Sequence, residues 1–172
     1  MIPQAPRAGC QGGHKVHLLM AFTLLSQTFA AGSTVPQSMI ALPCGGKNVS
    51  PQLHWTDAPR GTRSFALIVH DPDAPHAGGF YHWVIYNIAS GVHALDTGSQ
   101  RPAPEAGVND TGSRGYFGPC PPPGKLHHYS FTLYALDLPR VESPTPLSAP
   151  QLLERMRGHV LGTASIGATL EL

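Results

Sequence analysis

The stretch that most limits how this chain can fold is HHYSFTLYA at 127–135, preceded by the loop GYFGPCPPPGKL at 115–126. A period of two places His127, Tyr129, Phe131 and Leu133 on one face of a strand and His128, Ser130, Thr132 and Tyr134 on the other. An imidazole and a phenol therefore stand together at the mouth end of a strand whose next inward residues are apolar. The prolines at 119 and 121–123 fix φ and remove backbone donors, which makes a stiff rim. Gly115, Gly118 and Gly124 let the backbone come close to whatever lies in front of His127. The same residues also read as a tight loop feeding a core strand, with Tyr129 hydrogen-bonded internally.

A chain of 172 residues with 41% hydrophobic and 12% charged residues has the length of one domain and enough apolar side chains for a buried core. Its 19 glycines and 18 prolines suit many short strands joined by turns. A formal net charge of +1 gives no electrostatic case for nucleic acid or for general adhesion to an anionic membrane. Ten histidines are unusual, and their meaning depends on where they fall.

Residues 1–31 read as a secretory signal peptide: Arg7 and Lys15 without an acid, an apolar run at 18–30 too short to span a bilayer, and small residues at its end. Cleavage is expected after Ala30 or Ala31, leaving a single domain at 32–172, periplasmic or secreted, with no transmembrane segment. A buried N-terminal helix is the alternative. Cys10 would leave with the leader, and the two remaining cysteines, Cys44 and Cys120, both in Gly/Pro turns, are expected to form a disulfide.

Further along, turn chemistry dominates 42–51, followed by a short alternation at Leu53 and Trp55. SFALIV at 64–69 is a near-continuous apolar run, as expected of a central strand covered on both sides. DPDAP at 71–75 forces the chain out of the sheet, with Asp71 on the face of Leu67 and Val69. In FYHWVIYNI at 80–88, alternation sets His82, Val84 and Tyr86 against Tyr81, Trp83 and Ile85. Residues 90–114 carry no period and read as a long surface loop. Ser148 is placed to cap a helix over 150–157, stopped by Gly158, before one or two closing strands. The fold class is mostly β.

Three strand ends then carry Asp71, His82 and the pair His127 and Tyr129. If the strands are neighbours, these groups suit a small anion: protonated imidazole and phenol donate, and the amides of the Gly loop add to them. Asp71 has the wrong charge for such a ligand; its natural part is to accept an imidazole N–H and fix the tautomer. Two other chemistries use the same residues. One is a hydrolase working by Asp/His/Tyr acid–base chemistry, which lacks a nucleophile in an elbow motif. The other is a metal protein built on Asp71, His82 and His127 as a two-His, one-carboxylate set. A binding protein with no cofactor, not an enzyme, is the reading preferred.

CGGKNVSPQLHW at 44–55, DPDAP at 71–75, the His82 strand and GYFGPCPPPGKLHHY at 115–129 closely resemble the phosphatidylethanolamine-binding protein family in its bacterial, Raf-kinase-inhibitor-like branch. The resemblance runs from about residue 38 to the end. It implies a large central antiparallel sheet packed against a smaller sheet, with one or two short peripheral helices. It also implies a small pocket for phosphate-type anions or phospholipid head groups, formed by Asp71, Pro75, His82, Gly118, Pro119, His127 and Tyr129. Inhibition of a target kinase or protease is a further implication. Phe117 departs from the pattern where bacterial relatives often have Gly, as does Gly45 where Asp often follows the cysteine.

Overall fold

In the computed structural model, which describes residues 21–99 and 105–172, strands and helix follow in the order β1 (Thr23–Leu25), β2 (Leu53–Thr56), β3 (Ser64–Asp71), β4 (Phe80–Ala89), β5 (Ala94–Leu95), β6 (Glu105–Ala106), β7 (His127–Leu136), α1 (Ala149–Arg155) and β8 (Val160–Leu170). Five strands form a large sheet in the order β6-β4-β3-β7-β8, and β1-β2-β5 form a smaller one. All of these pairings are antiparallel.

The apolar run of β3 explains its central place. Phe65, Leu67 and Val69 face the small sheet and share a core with Leu53 and Trp55 of β2, Trp83 and Ile85 of β4, and Phe131 and Leu133 of β7. Ala66 and Ile68 face the other way, into a second cluster closed by Leu152 of α1 and by Met156. Two covered faces leave no solvent side, so the strand needs no polar alternation. β7 alternates as its sequence requires: His127, Tyr129, Phe131 and Leu133 are buried, while His128 is exposed and Tyr134 packs on the α1 side.

The helix begins where Ser148 and Pro150 place it, and the Ser148 N–H donates to Gln151 Oε1 at 2.9 Å. Residues 90–114 are less featureless than expected. Among those described, β5 and β6 are two-residue strands, and Val108 bridges Arg114 and Ser148. Pairings this short are too brief to leave a period in the sequence.

The described residues before Gly32 pack into the domain. A domain starting at residue 32 would leave out β1, which pairs with β2 from Thr23↔Thr56 to Leu25↔His54. Leu24 and Phe29 are buried, and the Phe29 ring sits 5.2 Å from that of Phe131. Three hydrogen bonds tie Ser26, Gln27 and Thr28 to Gln52. The second half of the apolar run at 18–30 is therefore core and sheet, since burying a large side chain is favourable whatever the flanking composition suggests. The rest of the leader reading falls on residues 1–20, outside the described residues.

Candidate functional site

A β-bulge aims the first histidine. Val69 pairs with Trp83 but the next residue, His70, pairs with Tyr81, so His82 is the extra residue in β4. Strict alternation would group His82 with Val84 and Tyr86, which lie in the α1-side cluster. The bulge instead delivers its ring to the opposite side, edge-on to Tyr129 with centroids 5.3 Å apart. Asp71 ends β3 and His127 opens β7, so both reach the same end of the sheet.

Here the three strand ends and two loops enclose a cavity of about 230 Å³. Its polar lining is Asp71, His76, His82 and His127; its apolar walls are Ala74, Pro75, Phe80, Phe117, Pro121 and Pro122, with Cys120 among them. The Phe117 ring lies nearly parallel to that of His82, 12° apart in plane with centroids separated by 6.0 Å.

Hydrogen bonds fix both imidazoles in the same sense. His127 Nδ1 lies 2.7 Å from Asp71 Oδ2, and His82 Nδ1 lies 2.8 Å from the Phe117 carbonyl. Carboxylate and carbonyl oxygens only accept, so each Nδ1 carries the proton and donates it. Asp71 is held in turn: its Oδ1 accepts from the amides of Asp73 and Ala74 at 2.9 and 3.1 Å. Each ring is left with Nε2, an acceptor when neutral and a donor when protonated. Among the described residues five buried side-chain polar atoms lack a hydrogen-bond partner, and three are here: His82 Nε2, His127 Nε2 and the Tyr129 hydroxyl. Buried polar atoms are ordinarily paired, and these three have no protein partner.

Burial pushes the His82 pKa down, against the opposing pull of the Phe117 carbonyl and the Asp71 charge. The Tyr129 hydroxyl is pushed up, first by burial and then by the charge of nearby Asp71, and it stays a protonated donor. No protein group stands in full hydrogen-bonding geometry with it, although Asp71 lies near enough to act on it by charge and by hydrogen bonding.

Of the seven residues read from the sequence, Asp71, Pro75, His82 and His127 line the cavity. Tyr129 stands against His82 from behind. Gly118 and Pro119 are not among the residues that line the cavity. The Gly118 amide donates to Asn48 Oδ1 at 2.7 Å, and the Pro119 carbonyl accepts from the Ala41 amide at 3.0 Å. The Phe117 and Gly124 amides are likewise spent inside the protein, on His82 and Leu172 carbonyls. These loop amides fasten the loop. A methyl group on Gly118 would run into the Met39 carbonyl oxygen and the Ala41 nitrogen. Gly118→Ala is therefore expected to lower stability by about 1–3 kcal/mol in denaturant unfolding, the usual cost of forcing atoms into a packed site.

Sequence reasoning passed over Ala74, His76 and Phe80, and read Pro121 and Pro122 only as a stiff rim. A pocket wall made of ordinary apolar residues leaves no mark on the sequence. The carboxylate of the proposed metal triad is turned to His127 and to two amides. Among the described residues no group of three or more His, Cys, Asp or Glu is placed to hold a metal ion. Cys44 and Cys120 are brought into bonding contact, with Cα atoms 5.7 Å apart, inside the usual disulfide range.

Comparison with known proteins agrees with this architecture. The family model for phosphatidylethanolamine-binding protein matches residues 25–171. A UPF0098 protein of Chlamydia muridarum is 42% identical over 154 residues, covering 86% of this chain and 97% of its own. The UPF0098 protein YbhB of Escherichia coli is 37% identical, covering 84% and 97%. The crystal structure of Escherichia coli YbcL, described as a member of the mammalian PEBP family, superposes with a TM-score of 0.82 at 34% identity, covering 88% of this chain and 98% of that one. On the fold, the match along most of the chain and these relatives, the chain belongs to the phosphatidylethanolamine-binding protein family.

Proposed function

We propose that the chain is a binding protein, not an enzyme, whose pocket takes a phosphate-type oxyanion, free or as a phospholipid head group. The observation that carries this reading is that His82 and His127 both line the cavity with Nδ1 held by a protein acceptor and a buried Nε2 that has no protein partner, with the Tyr129 hydroxyl, also without one, behind His82. With both rings protonated the cavity is lined by two charged donors. That suits an oxyanion, which accepts from both. A cation would meet a single carboxylate among the described lining residues, Asp71, which already accepts three hydrogen bonds. Among the described residues no Ser, Thr or Lys lines the cavity, and Cys120 faces Cys44.

The tautomers give the pH dependence a definite sign. A neutral imidazole usually offers an anion one N–H, but here that hydrogen is spent on Asp71 or Phe117, and the ligand would meet a lone pair. Binding therefore requires protonation, and affinity is expected to fall about tenfold per pH unit for each proton taken up. The lowered His82 pKa means its proton is absent from the empty pocket at neutral pH and is acquired with the anion. Sulfate is the proper probe, since phosphate has its own ionisation near pH ~6. Calorimetric titration of sulfate from pH 5 to 8 is expected to show steeply weakening binding with proton uptake. Binding that ignores pH, or none at pH 5, sinks the reading. Vesicles containing phosphatidylethanolamine, run beside inorganic sulfate, separate a head-group ligand from a free anion.

A further inference from the structure

We propose that Cys44 and Cys120 form a reducible fastening for one wall of the pocket, and that a cellular dithiol can open it and weaken anion binding. The effect on affinity rests on the anion reading above; the fastening itself does not.

Cys120 lines the cavity and is followed by Pro121 and Pro122, which line it too. The three prolines at 121–123 have no N–H to give. The flanking hydrogen bonds stop at the Pro119 carbonyl on one side and resume at the Gly124 amide on the other. Between them, Cys120, Pro121, Pro122 and Pro123 make no hydrogen bond to another described residue. Pro121 is buried, but Pro122 and Pro123 are exposed. Among the described residues, the contact with Cys44 is thus the one directional restraint on this wall. Cys44 sits at the fixed end, in a 3-10 turn where the amides of Cys44 and Gly46 both donate to the Ala41 carbonyl and that of Gly45 donates to Leu42. Cys44 is half-buried, with exposed Leu42, Pro43 and Gly45 around it, so a thiol has a side from which to approach.

The exchange balances without other reactants. A thiolate of the dithiol attacks Cys44 Sγ, forms a mixed disulfide and releases Cys120 as a thiolate. The second thiol of the reductant then displaces Cys44, and the reductant leaves as its own disulfide. Two electrons pass to the protein, and both cysteine thiolates take up protons. The freed wall loses its preorganisation, and binding must then order it.

The test compares oxidised protein, protein held in dithiothreitol, and a Cys44→Ser/Cys120→Ser variant. Sulfate affinity is measured at pH 5.5, alongside NMR relaxation of the Gly118 and Gly124 amides. Opening is expected to weaken sulfate binding about three- to tenfold and to mobilise Gly124 while Gly118 stays fixed. By reciprocity, saturating sulfate should make the disulfide harder to reduce by the same factor. Equal affinity and equal relaxation in all three forms overturn the proposal, as do two titratable thiols in denatured, unreduced protein. If no form binds sulfate, the anion reading fails by itself and relaxation alone decides: a mobilised Gly124 supports the fastening and an unchanged one overturns it.

Discussion

His82→Ala and His127→Ala are each expected to weaken sulfate binding at pH 5.5 by roughly 10- to 150-fold, the value of one hydrogen bond to a charged group. Tyr129→Phe removes a single hydroxyl from a buried ring and is the variant least able to disturb packing. It is expected to cost about three- to tenfold, as a neutral donor should. His127→Ala also leaves the Asp71 carboxylate without one of its three partners, so the protein should lose stability as well. Asp71→Asn removes the charge and turns one accepting oxygen into an NH2 donor that faces either His127 or the amides of Asp73 and Ala74, so it should cost stability as well as affinity. His128→Ala is the control. That side chain is on the outer face of β7, paired with Asp73, and its loss should leave sulfate affinity unchanged. Calorimetry in which His82→Ala and Tyr129→Phe bind like the parent would place the anion elsewhere.

The same histidine gives stability a pH dependence with a definite sign. Unfolded, His82 takes up a proton near pH ~6.5; folded, its pKa is lower, because burial disfavours the charged ring. Between the folded and unfolded pKa values the unfolded chain holds more protons, so stability falls as pH drops through that window and levels off below it. An anion in the pocket pays back part of this by stabilising the protonated ring. Sulfate should therefore raise the melting temperature more at pH 5.5 than at pH 7.5.

A chain that begins at Gly32 is expected to lose about 3–6 kcal/mol, taking roughly 1.5–3 kcal/mol for each of the buried Leu24 and Phe29 side chains. Against a typical 5–15 kcal/mol of total stability that is enough to leave the domain marginal or unfolded. The loss of β1 from the edge of β2 and of the links from residues 26–28 to Gln52 acts in the same direction. Urea unfolding of the shortened and longer chains measures the difference. N-terminal sequencing of protein from its own host is expected to find residues 22–31 still present. A folded native product starting at Ala31 or Gly32, as stable as the longer chain, would show that β1 and Phe29 are dispensable.

Where one local rule dominated, the sequence was enough. The central position of β3 followed from an apolar run with no polar side, the two faces of β7 from strict alternation, and the start of α1 from a Ser and a Pro in the right places. The pairing of Asp71 with His127 was also foreshadowed, because both strand ends carry their polar residue on the inward face. Tertiary structure decided the rest. Nothing local distinguishes residues 22–30 as sheet and core from the apolar run of a leader, since both need the same side chains and only a partner such as Phe131 tells them apart. The bulge at His82 is a mismatch between two strands and cannot be read from either one. The loop amides looked available to a ligand because glycine permits close approach, yet Asn48 and the carbonyls of His82 and Leu172, distant in sequence, had claimed them. The state of each Nε2 depended on what held the Nδ1 of the same ring, and a hydrogen bond to a residue 35 or 56 positions away is a property of the folded chain alone.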